Sequence, residues 1–214
     1  MINWFLRNKK VLLISGLILG AFFVSTTTTF AATKYWIGAD GASISVASNW
    51  TLSPTGCTGT SAGVPTASDI ATFGTSCTHS ALIDVAWTLS GLAVNSGYTG
   101  TITQNANVIV AAAGFSQVYG TWVLTSGTVT LGGGALSCSG TFAGNILINN
   151  TATISAGCTV NFGNNSNSIT YGQLTNNGNM IFGTGTTTVG MNILNYGTIT
   201  VNGSVWNGAN NDIT

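Results

Sequence analysis

The chain has 214 residues, which fits one ordinary domain with enough chain to bury a core. Only 4% of these residues are Asp, Glu, Lys or Arg, against roughly 25% in an ordinary soluble domain. Three of the four basic residues, Arg7, Lys9 and Lys10, lie together near the start, so the remainder is weakly acidic. Nucleic acids and anionic lipid surfaces bind clustered Lys and Arg, so the composition argues against both as partners.

Residues 1–32 have the layout of a secretory signal peptide. The basic cluster is followed by an apolar run over residues 11–24 and then by a small-residue exit at Ala31 and Ala32. A retained membrane anchor is the alternative, but the apolar run is shorter than the roughly 20 residues that a spanning helix needs. We therefore expect a cleaved leader, no membrane span in the mature chain, and a secreted, extracellular or cell-surface location.

Four cysteines follow the predicted leader, at positions 57, 77, 138 and 158. An even number of cysteines in an exported chain is typical of disulfides. Zinc binding is the competing use, but the sequence contains no CxxC pair, and His79 is its single histidine. We therefore expect disulfides, with no metal and no cofactor.

Beyond residue 80 the chain repeats in rows that begin at residues 81, 100, 120, 140, 159, 178 and 197. Strands this short cannot form a core alone, so the repeat predicts an all-β parallel solenoid over residues 81–214, with coils of about 19–20 residues. An antiparallel sandwich with evenly spaced hairpins is the alternative fold. Near the third place of each row stands an apolar residue: Ile83, Ile102, Trp122, Phe142, Val160, Met180 and Ile199. We expect Trp122, Phe142 and Met180 to be buried in one column.

Cys138 and Cys158 occupy equivalent places on adjacent coils of this repeat. Stacked coils bring such Cα atoms to about 4.8 Å, within the range that a disulfide spans. The predicted pairs are therefore Cys138 with Cys158 and Cys57 with Cys77. Asn176 and Asn195 are also equivalent, which leaves two interpretations open: a short ladder of side-chain amides, or two solvated turn residues.

Residues 33–80 do not fit the rows and are predicted to form a small N-terminal cap over the first coil. They contain the stretches YWIGADGASISVASNW and GVPTASDIATF, which precede ALIDVAWTLSGLAVNSGYTGTIT. Over residues 34–103 the chain resembles the amino-terminal part of bacterial secreted surface proteins of the autotransporter-passenger or adhesin type. That resemblance implies a parallel β-helix on or outside a bacterial cell, and it carries over no catalytic residues.

The distribution of titratable residues argues against an enzyme. From residue 85 to residue 211 the sequence has no Asp, Glu, Lys, Arg or His, whereas glycoside hydrolysis needs paired carboxylates and lyases need a base. Asp69, His79 and Asp84 lie close in sequence, but no nucleophile motif accompanies them, so a structural role is favoured over a Ser-His-Asp set.

The function that the sequence favours is that of a non-catalytic extracellular structural or cell-surface protein. The final row ends without a capping element, so we expect either that the natural protein continues beyond this chain or that the solenoid ends self-associate into head-to-tail filaments, and we favour self-association. The alternative is an adhesin or carbohydrate-binding module, in which Trp36 and Trp50 contact surface glycans. Other cell-surface proteins are further candidate partners.

Overall fold

The computed structural model of the chain describes residues 31–138, 140–143, 146–148, 151–162, 167–203 and 205–207. The predicted leader therefore lies outside the described residues, apart from Ala31 and Ala32. The described part is nearly all-β, with one short 3-10 turn at Ala47–Asn49 and no α-helix among these residues. Its strands are mostly parallel and stack as a β-solenoid, which confirms the predicted fold class.

The strands of the N-terminal part are β1 (Thr33–Trp36), β2 (Ala42–Ser43), β3 (Trp50–Thr51), β4 (Ile70–Phe73), β5 (Ala81–Ile83), β6 (Trp87–Val94), β7 (Thr101–Gln104), β8 (Val108–Gln117), β9 (Thr121–Leu124) and β10 (Val129–Leu131). Those that follow are β11 (Gly134–Cys138), β12 (Gly140–Ala143), β13 (Ile146–Ile148), β14 (Ala152–Ile154), β15 (Cys158–Asn161), β16 (Asn167–Asn176), β17 (Asn179–Phe182), β18 (Thr186–Asn195), β19 (Thr198–Val201) and β20 (Val205–Asn207).

Each row of the sequence repeat opens with a short strand on one face of the solenoid. These opening strands form two small parallel sheets, one with the order β2-β5-β7-β9 and the other with the order β12-β15-β17-β19. The remainder of each row lies in a third, 12-stranded sheet. The period read from the sequence is therefore the length of one coil.

The large sheet bends within each coil, so that a coil has three faces. Strand β8 shows the bend: Val108 pairs with Trp87 at its start, and Phe115 pairs with Leu92 near its end. Between these pairs the register shifts, and Gly114 follows the shift with φ +81°. A Cβ atom there would lie 2.5 Å from a backbone oxygen of the next coil, so both the positive φ and the close approach require glycine.

The N-terminal segment shares its sheets with the coils. Strand β1 pairs in parallel with β4, and β4 pairs in parallel with β6. Strand β3 turns back and pairs antiparallel with β1, where Trp36 lies opposite Trp50. It ends the large sheet on this side, so β1 has a partner on both edges.

The apolar third positions of the rows are divided between the two small sheets, which corrects the prediction of a single column. Trp122 belongs to the first small sheet, whereas Phe142 and Met180 belong to the second. Val129 and Ile146 are register partners on the next face, yet Val129 follows Trp122 by seven positions and Ile146 follows Phe142 by only four. Because the segment from Phe142 to the next face is shorter, Phe142 does not stack in register with Trp122. Met180 is buried and Trp122 is half-buried; the side chain of Phe142 is outside the described set.

The first row is also displaced by two positions from the alignment made on the sequence. Ala81, rather than Ile83, pairs with Ile102. The reason is that Trp87 pairs with Val108 on the next face, and this pairing fixes the register of the residues before it. Ile83 is still buried, because positions two apart on a strand point to the same side.

Both predicted disulfides are confirmed. Cys57 is bonded to Cys77 and Cys138 to Cys158, with Cα–Cα distances of 4.6 and 4.7 Å. These distances agree with the spacing of about 4.8 Å expected between stacked strands. Cys138 ends β11 and Cys158 begins β15, so the second disulfide connects one coil to the next, whereas Cys57 lies in the loop between β3 and β4 and Cys77 follows β4.

Asn176 and Asn195 form the amide ladder, which decides between the two interpretations. They are register partners on β16 and β18, and the Nδ2 of Asn176 donates to the Oδ1 of Asn195 at 2.7 Å. The same Nδ2 donates to the carbonyl of Thr198, and the Oδ1 of Asn176 accepts from the backbone N–H of Gly178. Asn176 is 0% exposed, so these bonds satisfy a fully buried amide.

Replacing Asn176 with alanine is expected to lower the free energy of unfolding by about 2 kcal/mol, because buried backbone groups lose their partner. Urea denaturation of the purified protein measures this. The matched control is Asn192→Ala, an exposed position on β18, which is expected to change stability by less than about 0.5 kcal/mol. Equal losses in the two variants would show that the ladder contributes no specific stabilisation.

Candidate functional site

The N-terminal coils enclose a cluster of large aromatic side chains. Trp50 lies at its centre, with ring-centroid distances of 5.3 Å to Trp36, 5.6 Å to Phe73 and 5.4 Å to Trp87. Tyr98 extends the cluster at 5.5 Å from Phe73. Aromatic rings at these separations pack favourably, so the cluster forms the core of the first coils.

Trp36 and Trp50, which the sequence offered as glycan contacts, are core residues. Trp36 is 1% exposed and Trp50 is 0% exposed. Their indole N–H groups donate to backbone carbonyls, that of Trp36 to His79 and that of Trp50 to Ile44. A sugar ring stacks on an exposed aromatic face, and neither side chain presents one. The structure therefore corrects this assignment, because short strands with small residues use the few large rings to fill their core.

A buried ion pair lies where the chain enters β1, and it was not predicted from the sequence. The Nζ of Lys34 lies 3.1 Å from the Oδ2 of Asp69, and both side chains are largely buried. Asp69 Oδ2 also accepts from the backbone N–H and the hydroxyl of Thr66. Asp69 Oδ1 accepts from the backbone N–H of Ala32 at 3.1 Å. The available signal was Thr66 three residues before Asp69, a pattern typical of local side-chain to backbone bonding.

This arrangement fixes the charge of Asp69. Burial by itself raises the pKa of the carboxyl group, but the hydrogen bonds from Thr66, Lys34 and Ala32 outweigh it and lower the pKa to about 2. The carboxylate is therefore ionised throughout the physiological range. The ion pair connects β1 to the loop before β4. Strands β1 and β4 are themselves paired in parallel.

The lowered pKa predicts a specific acid sensitivity. A carboxyl group whose pKa is depressed on folding stabilises the protein fully above its unfolded pKa of about 4, and the stabilisation is lost as the pH falls towards 2. We expect a loss of roughly 2 kcal/mol over that interval, measured by denaturation at a series of pH values. In Asp69→Asn this portion of the pH dependence should be absent. An unchanged acid limb in that variant would assign the effect to other carboxyl groups.

The acidic and imidazole groups that lie close in sequence each have a different partner. Asp69 is bound to Lys34, as described, and Asp84 accepts from the hydroxyl of Ser43 at 2.7 Å. The Nδ1 of His79 lies 2.9 Å from the carbonyl of Gly38. These contacts tie loops to strands, so each group has a structural role in the first coils.

His79 also lies beside the first disulfide. Its Nε2 is 3.8 Å from the Sγ of Cys57, and the ligand atoms of Cys57, Cys77 and His79 lie within 4.8 Å of one another. Such a cluster has donors that suit zinc, but a metal requires thiolates, and both sulfur atoms are bonded to each other. The predicted Cys57–Cys77 pair already places His79 near both sulfur atoms, because His79 follows Cys77 by two positions.

Two surface features of the described residues bear on binding. A shallow groove of about 240 Å³ runs along the bend of the large sheet, lined mainly by Ala93, Ala113, Ser116, Ala135 and Ser137. Its lining is uncharged and also includes Ile70, Leu92 and Phe115, so the groove is mainly apolar and offers few polar contacts.

The second feature is the last described row. Strand β19 pairs with β17 and ends its sheet within the described residues. Thr198, Thr200 and Val201 are exposed on it, and Ile199 is half-buried. The strand therefore presents both apolar and hydroxyl side chains at one end of the solenoid.

The fold and these features define a class: an all-β, parallel β-solenoid with two disulfides. The sequence matches no protein-family model, and comparisons with curated proteins and with solved structures likewise show no match. Within the described residues, none of the structure is a helix long and apolar enough to cross a membrane.

Proposed function

We propose that the protein is a non-catalytic, extracellular structural or cell-surface protein whose solenoid associates head to tail. The observation that carries the proposal is that the stacked sheets continue to both ends of the described chain. Strand β2 ends the first small sheet and β19 ends the second, each with a partner on one side within the described residues. A strand at the edge of a sheet offers N–H and C=O groups to another strand, and identical ends joined head to tail produce a filament.

Two further observations support an extracellular setting. The two disulfides favour an oxidising compartment. The resemblance of residues 34–103 to bacterial secreted surface proteins agrees with that setting.

The charge distribution is compatible with the proposed association. Because residues 85–211 have no charged side chain, the association of coils meets no like-charge repulsion along their length.

The test introduces charges at the proposed contact and follows particle size. Light scattering of the unmodified protein should show a size that increases with concentration. Thr198→Lys combined with Val201→Glu places charges on an edge strand, which blocks strand pairing, and should keep the protein monomeric. The matched control is Thr88→Lys with Ile109→Glu on β6 and β8, which have partners on both sides, and Ile109 is 40% exposed against 43% for Val201. This control should assemble as the unmodified protein does.

An unmodified protein that stays monomeric at high concentration would contradict head-to-tail assembly and favour the adhesin alternative. In that case the exposed tyrosine rings among the described side chains, Tyr119 and Tyr196 at 47% and 70%, are the candidate contacts rather than Trp36 and Trp50. Both tyrosines precede the glycine that opens a row, so they lie at equivalent corners of different coils. Binding on a glycan array that is lost in Tyr119→Ala with Tyr196→Ala would support the adhesin function.

A further inference from the structure

We infer that the leader is removed between Ala31 and Ala32, and that the new amino terminus of Ala32 forms an ion pair with the buried carboxylate of Asp69. The inference rests on the proposed export of the chain. It places the cleavage one residue earlier than the boundary of 1–32 expected from the sequence.

The first step concerns which peptide bond suits a signal peptidase. Such enzymes prefer small residues at the first and third positions before the cleaved bond. Cleavage after Ala31 places Ala31 and Thr29 there, both small. Cleavage after Ala32 places the bulky Phe30 at the third position.

The second step concerns what the folded chain holds. The compact unit begins at Ala31, and Ala31 is exposed whereas Ala32 is half-buried. The N–H of Ala32 donates to Asp69 Oδ1 at 3.1 Å, and its carbonyl accepts from the N–H of Ile70 at 2.8 Å. Cleavage after Ala32 would remove both bonds. Cleavage after Ala31 keeps both hydrogen bonds of Ala32 and removes the exposed Ala31 with the leader.

The third step is the chemistry at the nitrogen of Ala32. Water hydrolyses the bond from the carbonyl carbon of Ala31 to the nitrogen of Ala32. The hydroxyl group goes to the carbonyl carbon, and a proton goes to the nitrogen. The released amine takes a second proton from solvent and becomes an ammonium group, because its pKa of about 8 lies above neutral pH. A neutral amide donor is thus replaced by a cation at the same carboxylate oxygen.

The carboxylate can accept this second cation because its two oxygens are used separately. Lys34 contacts Oδ2, and Ala32 contacts Oδ1. Asp69 is 5% exposed, so water screens the new ion pair less than it would on the surface. Processing would therefore stabilise the start of β1, and removal of the leader would be coupled to completion of the fold.

The experiment starts from the full-length precursor, produced in a bacterial host that exports proteins, followed by amino-terminal sequencing of the exported product. The expected first residue is Ala32. A product that begins at Thr33 would overturn the inference and leave the proposed export intact. A chain retained in the cell with Met1 at its start would contradict export itself.

The ion pair is tested separately with four exported proteins. One glycine inserted between Ala31 and Ala32 moves the amino group away by one residue, and the insertion is made in the natural sequence and in the Asp69→Asn background. In the natural sequence it puts the neutral amide of Ala32 back in place of the ammonium group, and it should raise the equilibrium constant for unfolding about fivefold, because a hydrogen bond between charged groups stabilises by roughly 1 kcal/mol more than a neutral one. With Asp69→Asn the insertion should have little effect. An equal effect in both backgrounds would overturn the ion pair.

Discussion

Replacing Trp50 with alanine is expected to lower the free energy of unfolding by about 3–5 kcal/mol, a larger effect than that of any other single substitution proposed for this chain. Trp50 is fully buried and contacts three aromatic rings, so its removal leaves a large cavity. The loss also leaves the carbonyl of Ile44 without its indole donor. Chemical denaturation followed by circular dichroism measures the change.

The control for Trp50 is Tyr196→Ala, which removes a large ring that is 70% exposed. Its expected effect is below about 0.5 kcal/mol, as for other surface substitutions. If Trp50→Ala were as mild as this control, the aromatic cluster would not be the core of the first coils. Trp50→Phe separates ring packing from the indole hydrogen bond, because it keeps an aromatic ring and lacks the N–H.

Removing both disulfides is expected to cost roughly 6 kcal/mol in total. Each closes a loop of the same length, with a sequence separation of 20 residues, and chain entropy alone assigns about 3 kcal/mol to such a loop. Cys57→Ala with Cys77→Ala and Cys138→Ala with Cys158→Ala should therefore destabilise the protein by similar amounts. The two pairs lie in different parts of the solenoid, so their effects should add.

The connectivity has its own check, because four cysteines allow three pairings. Trypsin is poorly suited, since the chain has few Lys and Arg residues. Digestion with pepsin at acid pH, where thiolates are scarce and disulfides exchange slowly, keeps the native bonds for mass spectrometry. A peptide that joins Cys77 to Cys138 would contradict the assignment of both pairs.

The coil length and the Cys138–Cys158 pair could be predicted because both follow from a single repeating distance along the chain. Apolar residues recur at that distance, and the two cysteines lie one row apart, which brings them together although the exact register pairs Cys158 with Gly140, two positions beyond Cys138. The same reasoning located Asn176 opposite Asn195. A period read from sequence therefore determines which residues are stacked, provided that the row length stays constant.

The exact register was harder to predict because it depends on the residues between strands. The segment from Phe142 to the next face is three residues shorter than the segment from Trp122. The column expected from the sequence is therefore divided between two sheets. Gln104 is another example: it is 0% exposed, and its side chain bonds to two backbone carbonyls and to the indole of Trp122. A polar residue in a buried place carries no sequence signal until its partners are known.

The features of the N-terminal end depended on contacts between distant positions. Lys34 and Asp69 are far apart in sequence, and the repeat does not include either of them. The residue type alone makes Trp36 and Trp50 possible glycan contacts, since an aromatic ring can stack on a sugar. The structure shows that β3 returns them to the core. Only the pairing of β1 with β3 and β4 reveals these contacts.

The most direct test of the parallel solenoid is an engineered cross-link between outward positions on neighbouring coils. Ala93 and Ser116 are register partners on β6 and β8, and Ser116 is in turn the partner of Ser137 on β11. If the coils stack in parallel, Ala93→Cys with Ser116→Cys forms a disulfide under mild oxidation, because the two Cα atoms lie about 4.8 Å apart. Ala93→Cys with Ser137→Cys spans two coils, about 10 Å, and does not. Mass spectrometry after peptic digestion distinguishes these results, and a disulfide that forms in the second variant but not in the first would contradict the stacked parallel coils.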